Sequence, residues 1–432
     1  TAEIKSCYCL TEPGAGSDAN SGKTKAVLTE DGQHYILNGQ KMWITSAGHA
    51  DLFIVFAKIE DDPNLSCLIV EKGYGGISLG AEEKKMGIKG SSTRQVFFEN
   101  VKVPIDNLLG ARNGGFKIAL NVLNTGRIKL GTSLTGNAKQ AFYLGINYAN
   151  ERAQFGKTIA NFGAIQHKIA EMATNIYAME SIFTRIGHHI DEVHDEMIAN
   201  KMPELEAEYK SIADFSIECA IAKVHNSEAC NFVVNESLQI HGGMGFSEEN
   251  RIATYYRNDR INLIYEGTNE INRMLMVDML IRKAMKGKID LMSPVAKVTQ
   301  EWQNDTLINQ VENDHAFSEH INVLNHLKKA VLLVAGSAVQ KLMAELKHEQ
   351  EIMMNLADCL IQIFAFESSL LRSIKHANTN TADLRKGMTT ILMHRAANKI
   401  EQASKEVIYA FLEGEDATSL LQATQKLTNL PP

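Results

Sequence analysis

Proline is scarce in this chain, with seven in 432 residues, and two of them form the terminal pair. Between Gly115 and that pair only Pro203 and Pro294 occur, so helices can run long and unbroken there. Glycine is depleted in the same region, since fifteen of the thirty fall within the first 115 residues. Cysteine is as rare as proline: six residues, at 7, 9, 67, 219, 230 and 359, show neither disulfide density nor a repeated ligand-like spacing. Reduced thiols in an intracellular compartment are the expectation. There is no basic excess, because 44 Lys and Arg face 51 Asp and Glu for a net charge of −7, and aromatics make up only 7%. That balance speaks against a nucleic-acid binder. Long apolar runs are missing too: the most apolar stretch, 330–339, is hemmed by Lys328, Lys329 and Lys341 and is too short to span a bilayer. No targeting segment is visible, and the chain opens on Thr1 rather than Met, so the expectation is that a preceding part is missing.

The chain is long enough for about three domains, and its first third reads as β. Short alternating or β-branched runs (KAVLT, HYILN, LFIVFAK, CLIV, RQVFF) are separated by Asp31-Gly32, Asn38-Gly39 and Gly73 to Gly76. Asp-Gly between two such runs predicts a hairpin whose two central residues both take positive φ. From Gly115 onward apolar residues recur at three and four. Ala138, Ala141, Phe142, Gly145 and Ala149 make one stripe, a second long helix is predicted over 160–191, and Ile352, Leu356, Cys359, Ile363, Phe366 and Leu370 form a seam suited to antiparallel helix packing.

Two nucleotide-binding signatures nearly occur. Gly14 to Ala19 satisfies the loose GxGxxA pattern, and Gly22-Lys23-Thr24 resembles the end of a phosphate-binding loop whose first glycine is replaced by Ser17. Both need a helix to follow, and a turn and strand are predicted instead. The segment YCLTEPGAGSD (Tyr8 to Asp18) still reads as a tight excursion between strands, where glycines let backbone N–H groups approach a ligand and Thr11 and Ser17 supply hydroxyls. The cluster His188, His189, Asp191, Glu192, His194 has no convergent ligands elsewhere and reads as a solvated helix face rather than a metal site.

YCLTEPGAGSD and KMWIT (Lys41 to Thr45), followed by ERAQFGK (Glu151 to Lys157), QIHGGMGF (Gln239 to Phe246) and IYEGTNEINR (Ile264 to Arg273), resemble the acyl-CoA dehydrogenase family in order and spacing from about Thr1 to Arg282. EKKMGIKGS (Glu83 to Ser91), NFGAIQ (Asn161 to Gln166) and the C-terminal helical stretch are most similar to its very-long-chain branch. The resemblance implies an α+β protein: a middle antiparallel β-barrel-like domain (1–113), a four-helix bundle (114–284) and an extra C-terminal helical domain (285–432), with the family's N-terminal helical domain missing from the chain as given.

The resemblance also implies FAD as cofactor. Tyr8, Leu10, Thr11 and Ser17 would line the flavin and pantetheine region, with Trp43, Ile44 and Thr45 against the isoalloxazine and the Thr45 hydroxyl toward N5. Arg152, Phe155, Gln239, Gly242 and Gly243 match contacts to the pyrophosphate and adenosine across a dimer, and Thr268, Asn269 and Glu270 complete the FAD set. Ser17, Asn124, Arg127 and Gly267 match positions that bind the acyl-CoA. Glu266 matches the catalytic base. A glutamate in YEGT taken alone is ordinarily a solvated turn residue, but abstraction of a thioester α-proton calls for a carboxylate shielded from water, whose pKa burial raises. Other family members place their base at a position that aligns with Gly126, and glycine there leaves Glu266 as the candidate.

The implied function is α,β-dehydrogenation of a fatty acyl-CoA to trans-2-enoyl-CoA. An electron-transferring flavoprotein would be the acceptor, and the protein a homodimer or larger. A non-catalytic scaffold that keeps the fold is the alternative. Peripheral membrane contact through the C-terminal helices is implied by the very-long-chain resemblance, with Arg282, Lys283, Lys286 and Lys288 as a basic run. The location would be cytoplasmic in a bacterium, or the mitochondrial inner membrane otherwise.

Overall fold

The structure is a computed structural model, and it describes residues 3–308 and 316–430. Thr1 and the terminal prolines lie outside the described residues. The chain divides into two compact units, 1–125 and 126–432. The division falls inside a long helix rather than at the predicted 113/114 boundary, because that helix begins in the first unit and ends in the second.

Seven strands make up the sheet of the first unit: β1 (Ser6–Cys9), β2 (Lys25–Leu28), β3 (His34–Thr45), β4 (Leu52–Ile59), β5 (Ser66–Glu71), β6 (Ile77–Leu79) and β7 (Thr93–Pro104). Their order is β1-β4-β2-β3-β7-β6, with β5 also paired to β4. The sheet is mixed, which corrects the expectation of an antiparallel one: β4 runs parallel to both β1 and β2. The connections from β1 and from β2 to β4 are long enough to reverse the chain, as a parallel pair requires. Side chains of β4 pack on both of its faces. Phe53, Val55, Ala57 and Ile59 enter one core cluster and Phe56 another, which explains the unbroken apolar run LFIVFAK.

The β2–β3 hairpin forms as predicted, but its turn differs. The strands are joined by residues 29–33, and of the Asp31-Gly32 pair only Gly32 has positive φ, at 66°. Thr29 Oγ1 donates to Asp31 Oδ1 at 2.6 Å and Gln33 N donates to the same oxygen at 3.0 Å, so side-chain bonds close a longer loop in place of a two-residue turn. Asn38-Gly39 is no turn at all. It lies inside β3 at a register shift against β7, where Gly39 backs onto Thr24.

The second unit is helical. Helix α1 (Gly115–Glu151) leads through a two-stranded hairpin, β8 (Ala153–Gln154) and β9 (Lys157–Thr158), to α2 (Gly163–Ala199), α3 (Glu204–Asp214) and α4 (Ser216–Ile240). Short helices α5 (Gly243–Phe246) and α6 (Arg251–Asp259) precede α7 (Asn269–Met285), and α8 (Met292–Gln303), α9 (Ser318–Leu342), α10 (Gln350–Lys375), α11 (Ala382–Phe411) and α12 (Gly414–Thr428) follow. The stripe on α1 is internal, with Ala138, Ala141 and Ala149 buried against Met172 and Val233. The seam on α10 is internal too: Ile352, Leu356, Cys359, Phe366 and Leu370 are buried, and Ile363 packs against the same cluster. That cluster also holds Tyr177 of α2, Val224 of α4 and Met276 of α7, so no seam in the packing marks the predicted 284/285 boundary.

Candidate active site

The base turn is built from three helices of the second unit. Thr268 caps α7 by accepting from Ile271 N at 3.3 Å, and immediately before it Glu266 and Gly267 are consecutive left-handed residues at φ 59° and 84°. A non-glycine residue held there costs about 1–3 kcal/mol, which surrounding contacts must offset. They do so through the carbonyls. Arg127 Nε of α1 donates to the Glu266 carbonyl oxygen at 3.1 Å, while Lys223 Nζ of α4 and Asn272 Nδ2 of α7 each donate to that of Gly267 at 2.8 Å.

Gly126 explains where the Glu266 carboxylate rests. A Cβ at residue 126 would stand 2.6 Å from Glu266 Oε2 and 2.9 Å from Cδ, closer than any real contact. The glycine on α1 therefore leaves the space the carboxylate fills. Burial pushes the Glu266 carboxyl above its usual 4.5, and the Arg127 and Lys223 cations pull the other way. A carboxylate poised in this manner is suited to taking a proton from a weak carbon acid.

Arg127 and Asn269, expected beside ligands, are both buried. Arg127 is buried and faces the base turn, and Asn269 is buried, with Oδ1 accepting from Lys223 and Nδ2 donating to Glu228 at 3.0 Å. Thr268 and Glu270 stand at the open end of α7, Glu270 exposed. Residues that sequence reading passed over complete the scaffold. Arg273 clamps Glu228 with two bonds of 2.7 and 2.9 Å and reaches Asp358 of α10 at 2.7 Å.

In the first unit the TEPGAGSD loop and the KMWIT strand are tied by a buried ion pair. Lys41 Nζ donates to Glu12 Oε1 at 2.7 Å and to the carbonyls of Leu10 and Phe56 at 3.0 and 2.7 Å. Glu12 in turn accepts from the backbone N–H groups of Lys23 and Thr24. Burial pushes its carboxyl up, but the Lys41 charge and hydrogen bond together with the bonds from Thr24 and Lys23 outweigh it and leave the group below its usual range. Beside this pair β3 carries a bulge: Lys41 opposes Val96 but Ile44 opposes Arg94, and the extra residue puts Trp43 at φ 60°. A bulge re-aims a side chain, and here it leaves Trp43 53% exposed between half-buried Met42 and buried Ile44. Met42 N donates to the Thr11 carbonyl at 2.9 Å, which brings the two segments together. Tyr8 is half-buried, Leu10 and Ile44 are buried, and Thr45 and Ser17 are exposed. Asn124 is buried on α1.

An uncovered indole in a strained bulge is a platform for a flat ring. The residues expected at the far end of the cofactor are uncovered as well. Arg152 and the β8–β9 hairpin are exposed, with Phe155 94% exposed at φ 52°. Gln239 is exposed, and nothing lies within 4 Å of a Cβ built on Gly242 or Gly243, so backbone is open to a close ligand. These features fit FAD: a stacking surface, open glycines and a free guanidinium.

The second unit carries a half-buried carboxylate and each unit carries open surfaces that suit a flat cofactor, features that a flavin-type dehydrogenase working on a carbon acid requires. Comparison with known proteins carries the assignment further. Family models for the acyl-CoA dehydrogenase middle domain and C-terminal domain match residues 7–101 and 113–281, and a second C-terminal domain model matches 326–426. The chain is 41% identical to a probable acyl-CoA dehydrogenase of Bacillus subtilis, over its full length and 73% of that protein. It is 40% identical to the mitochondrial very long-chain specific acyl-CoA dehydrogenase of Homo sapiens over 64% of the chain, and spans 41% of that relative's length. A crystal structure of an acyl-CoA dehydrogenase complexed with FAD from Bacillus anthracis superposes with a TM-score of 0.92 at 42% identity, over 99% of this chain and 72% of that one. The chain belongs to the acyl-CoA dehydrogenase family, whose members are FAD-dependent oxidoreductases.

Proposed function

We propose that this protein dehydrogenates a fatty acyl-CoA at its α,β bond and releases the trans-2-enoyl-CoA. The observation that carries this reading is the Glu266 carboxylate seated in the space left by Gly126. Arg127 and Asn272 hold the turn by its carbonyls, so the carboxylate alone is left to react. Partial burial raises its basicity, and it takes the α-proton as the α-carbon of the thioester becomes trigonal. FAD, when bound, supplies the acceptor for the β-hydride. Tyr8, Thr11, Ser17, Trp43 and Thr45 would hold its flavin, and Arg152, Phe155, Gln239, Gly242 and Gly243 its pyrophosphate and adenosine from a second copy of the chain, so that the working form is at least a dimer.

Several finer readings go with this one. The curled sheet corresponds to a barrel-like middle domain, and α1, α2, α4 and α7 to a four-helix bundle. A fatty acyl chain in β-oxidation is the substrate, and an electron-transferring flavoprotein the partner that reoxidises the cofactor. The basic run after Arg282 gives the C-terminal helices a weak attraction to anionic lipid, about 1 kcal/mol per charge. The reading is consistent with a bacterial cytoplasm or the mitochondrial inner membrane. Anaerobic mixing of the FAD-loaded protein with acyl-CoAs of graded chain length tests the function: bleaching of the flavin absorbance with stoichiometric enoyl-CoA is expected. A yellow protein that no acyl-CoA bleaches would instead be a scaffold that keeps the fold.

A further inference from the structure

Lys223 is wholly buried in the middle of α4, and both oxygens that accept from its ammonium, the Gly267 carbonyl at 2.8 Å and Asn269 Oδ1 at 2.6 Å, are uncharged. A buried ammonium seated on neutral oxygens is costly, and a methionine or a glutamine would pack the same space without that cost. Its charge therefore asks for an explanation. The groups around it supply one. Arg127 of α1 approaches the same turn, Glu228 shares α4 but is engaged by Arg273 of α7, Glu270 is exposed in the first turn of α7, and Asp358 of α10 is engaged by Arg273 and Lys399. The remaining carboxylate nearby is Glu266 itself, one residue from the carbonyl that Lys223 grips.

We propose that Lys223 is a positioning residue for the base: its buried ammonium fixes the Glu266–Gly267 turn opposite Gly126 and places a positive charge in the lining of that turn. This rests on the reading of Glu266 as the proton acceptor. Arg127 secures the first carbonyl of the turn, and Lys223 and Asn272 the second, so the left-handed dipeptide is held from three helices and cannot relax without breaking one of these bonds. Burial, with Arg127 adding to it, pushes the Lys223 ammonium down to about 8. Its charge is accordingly present at neutral pH and withdrawn a little above it.

The test is a titration of Glu266 by carbon-13 NMR in the full FAD-loaded chain, with glutamate carboxyls labelled and the Glu266 signal assigned by its loss in Glu266→Gln. Lys223→Met should raise the Glu266 midpoint by about one pH unit, the effect of removing one nearby opposite charge. Lys223→Gln, which still donates to the Gly267 carbonyl, should raise it as far. If the Gln variant leaves the midpoint where it is in the unaltered protein, hydrogen bonding alone accounts for Lys223 and the proposal is overturned. Should neither variant fold, the unaltered protein decides: its Glu266 signal should show a second inflection near pH 8 as Lys223 loses its proton, and a single-step titration overturns the proposal. None of these readouts needs turnover. The role of Glu266 as base fails separately, if Glu266→Gln keeps substrate-driven flavin bleaching.

Discussion

At the scale of single residues the site rests on a complementary pair, a carboxylate and an absent side chain. Glu266→Gln is nearly isosteric, so it should retain FAD and lose turnover by several orders of magnitude; a tenth of the original rate remaining in stopped-flow bleaching would remove Glu266 from the role. Gly126→Ala is the sharper experiment. Its Cβ meets the movable end of Glu266 rather than backbone, so the carboxylate swings aside and the helix gains about 1 kcal/mol of propensity. Thermal melting should hold or rise while kcat falls at least about tenfold. The pH dependence follows from the raised Glu266 pKa. The ionised form is the active one, so kcat should climb with pH through a midpoint above 4.5. Glu266 and Gly126 were legible in the sequence because a contiguous motif and an alignment point to them. Lys223 was not, since nothing in ECAIAKVHN marks the lysine as internal, and its acceptors lie 44 and 46 residues further along the chain.

At the scale of elements, the strands were legible as apolar runs and their connections were not. Asp31-Gly32 carries the same letters whether two residues or five make the turn, and the bonds from Thr29 and Gln33 to Asp31 decide it. Trp43 was placed in a strand, but its outward aim comes from a bulge set by the partner strand β7, which periodicity along β3 does not contain. The Lys41–Glu12 pair joins β3 to the TEPGAGSD loop across 29 residues, and breaking one side leaves a buried charge. Lys41→Met and Glu12→Leu should each destabilise by about 3–5 kcal/mol, and the double variant by much less. Chemical denaturation with FAD binding measured alongside checks this, and single variants costing under about 1 kcal/mol would show the pair to be incidental. The sign of the pH effect is determined as well. The Glu12 pKa is depressed in the folded protein, so its stabilisation is present above 4.5 and is lost as pH falls through the folded value. That acid-side loss of Tm should be missing from the double variant.

At the scale of the whole molecule the C-terminal helices are part of the core on which the base turn stands. From the sequence the last third of the chain is expected to be a separate helical unit that packs on the bundle, with internal packing favoured over lipid contact, but which residues carry that packing is not visible in the motifs, which stop near Arg282. Leu356 and Phe366 of α10 share a cluster with Val224 of α4 and Met276 of α7, and Asp358 of α10 holds Arg273, which in turn holds Glu228 beside Asn269. By length and composition α10 could also cross a bilayer, a possibility that reading the stretch 330–339 alone had missed, but half of its most apolar window is buried inside the protein. The six seam residues contribute about 1.5–3 kcal/mol each on burial, well above the attraction of four lysines and arginines for anionic lipid. Ending the chain after Lys288 therefore uncovers a core face on α2, α4 and α7 and unpins Arg273 together. The truncated protein should aggregate or melt far below the full chain, and any soluble fraction should bleach flavin slowly even with FAD bound, because the base turn has lost its outer brace. Size-exclusion chromatography, thermal melting and stopped-flow bleaching on the two forms decide it: a truncated protein matching the full chain in all three would reduce these helices to an appendage and leave lipid attraction as their remaining role.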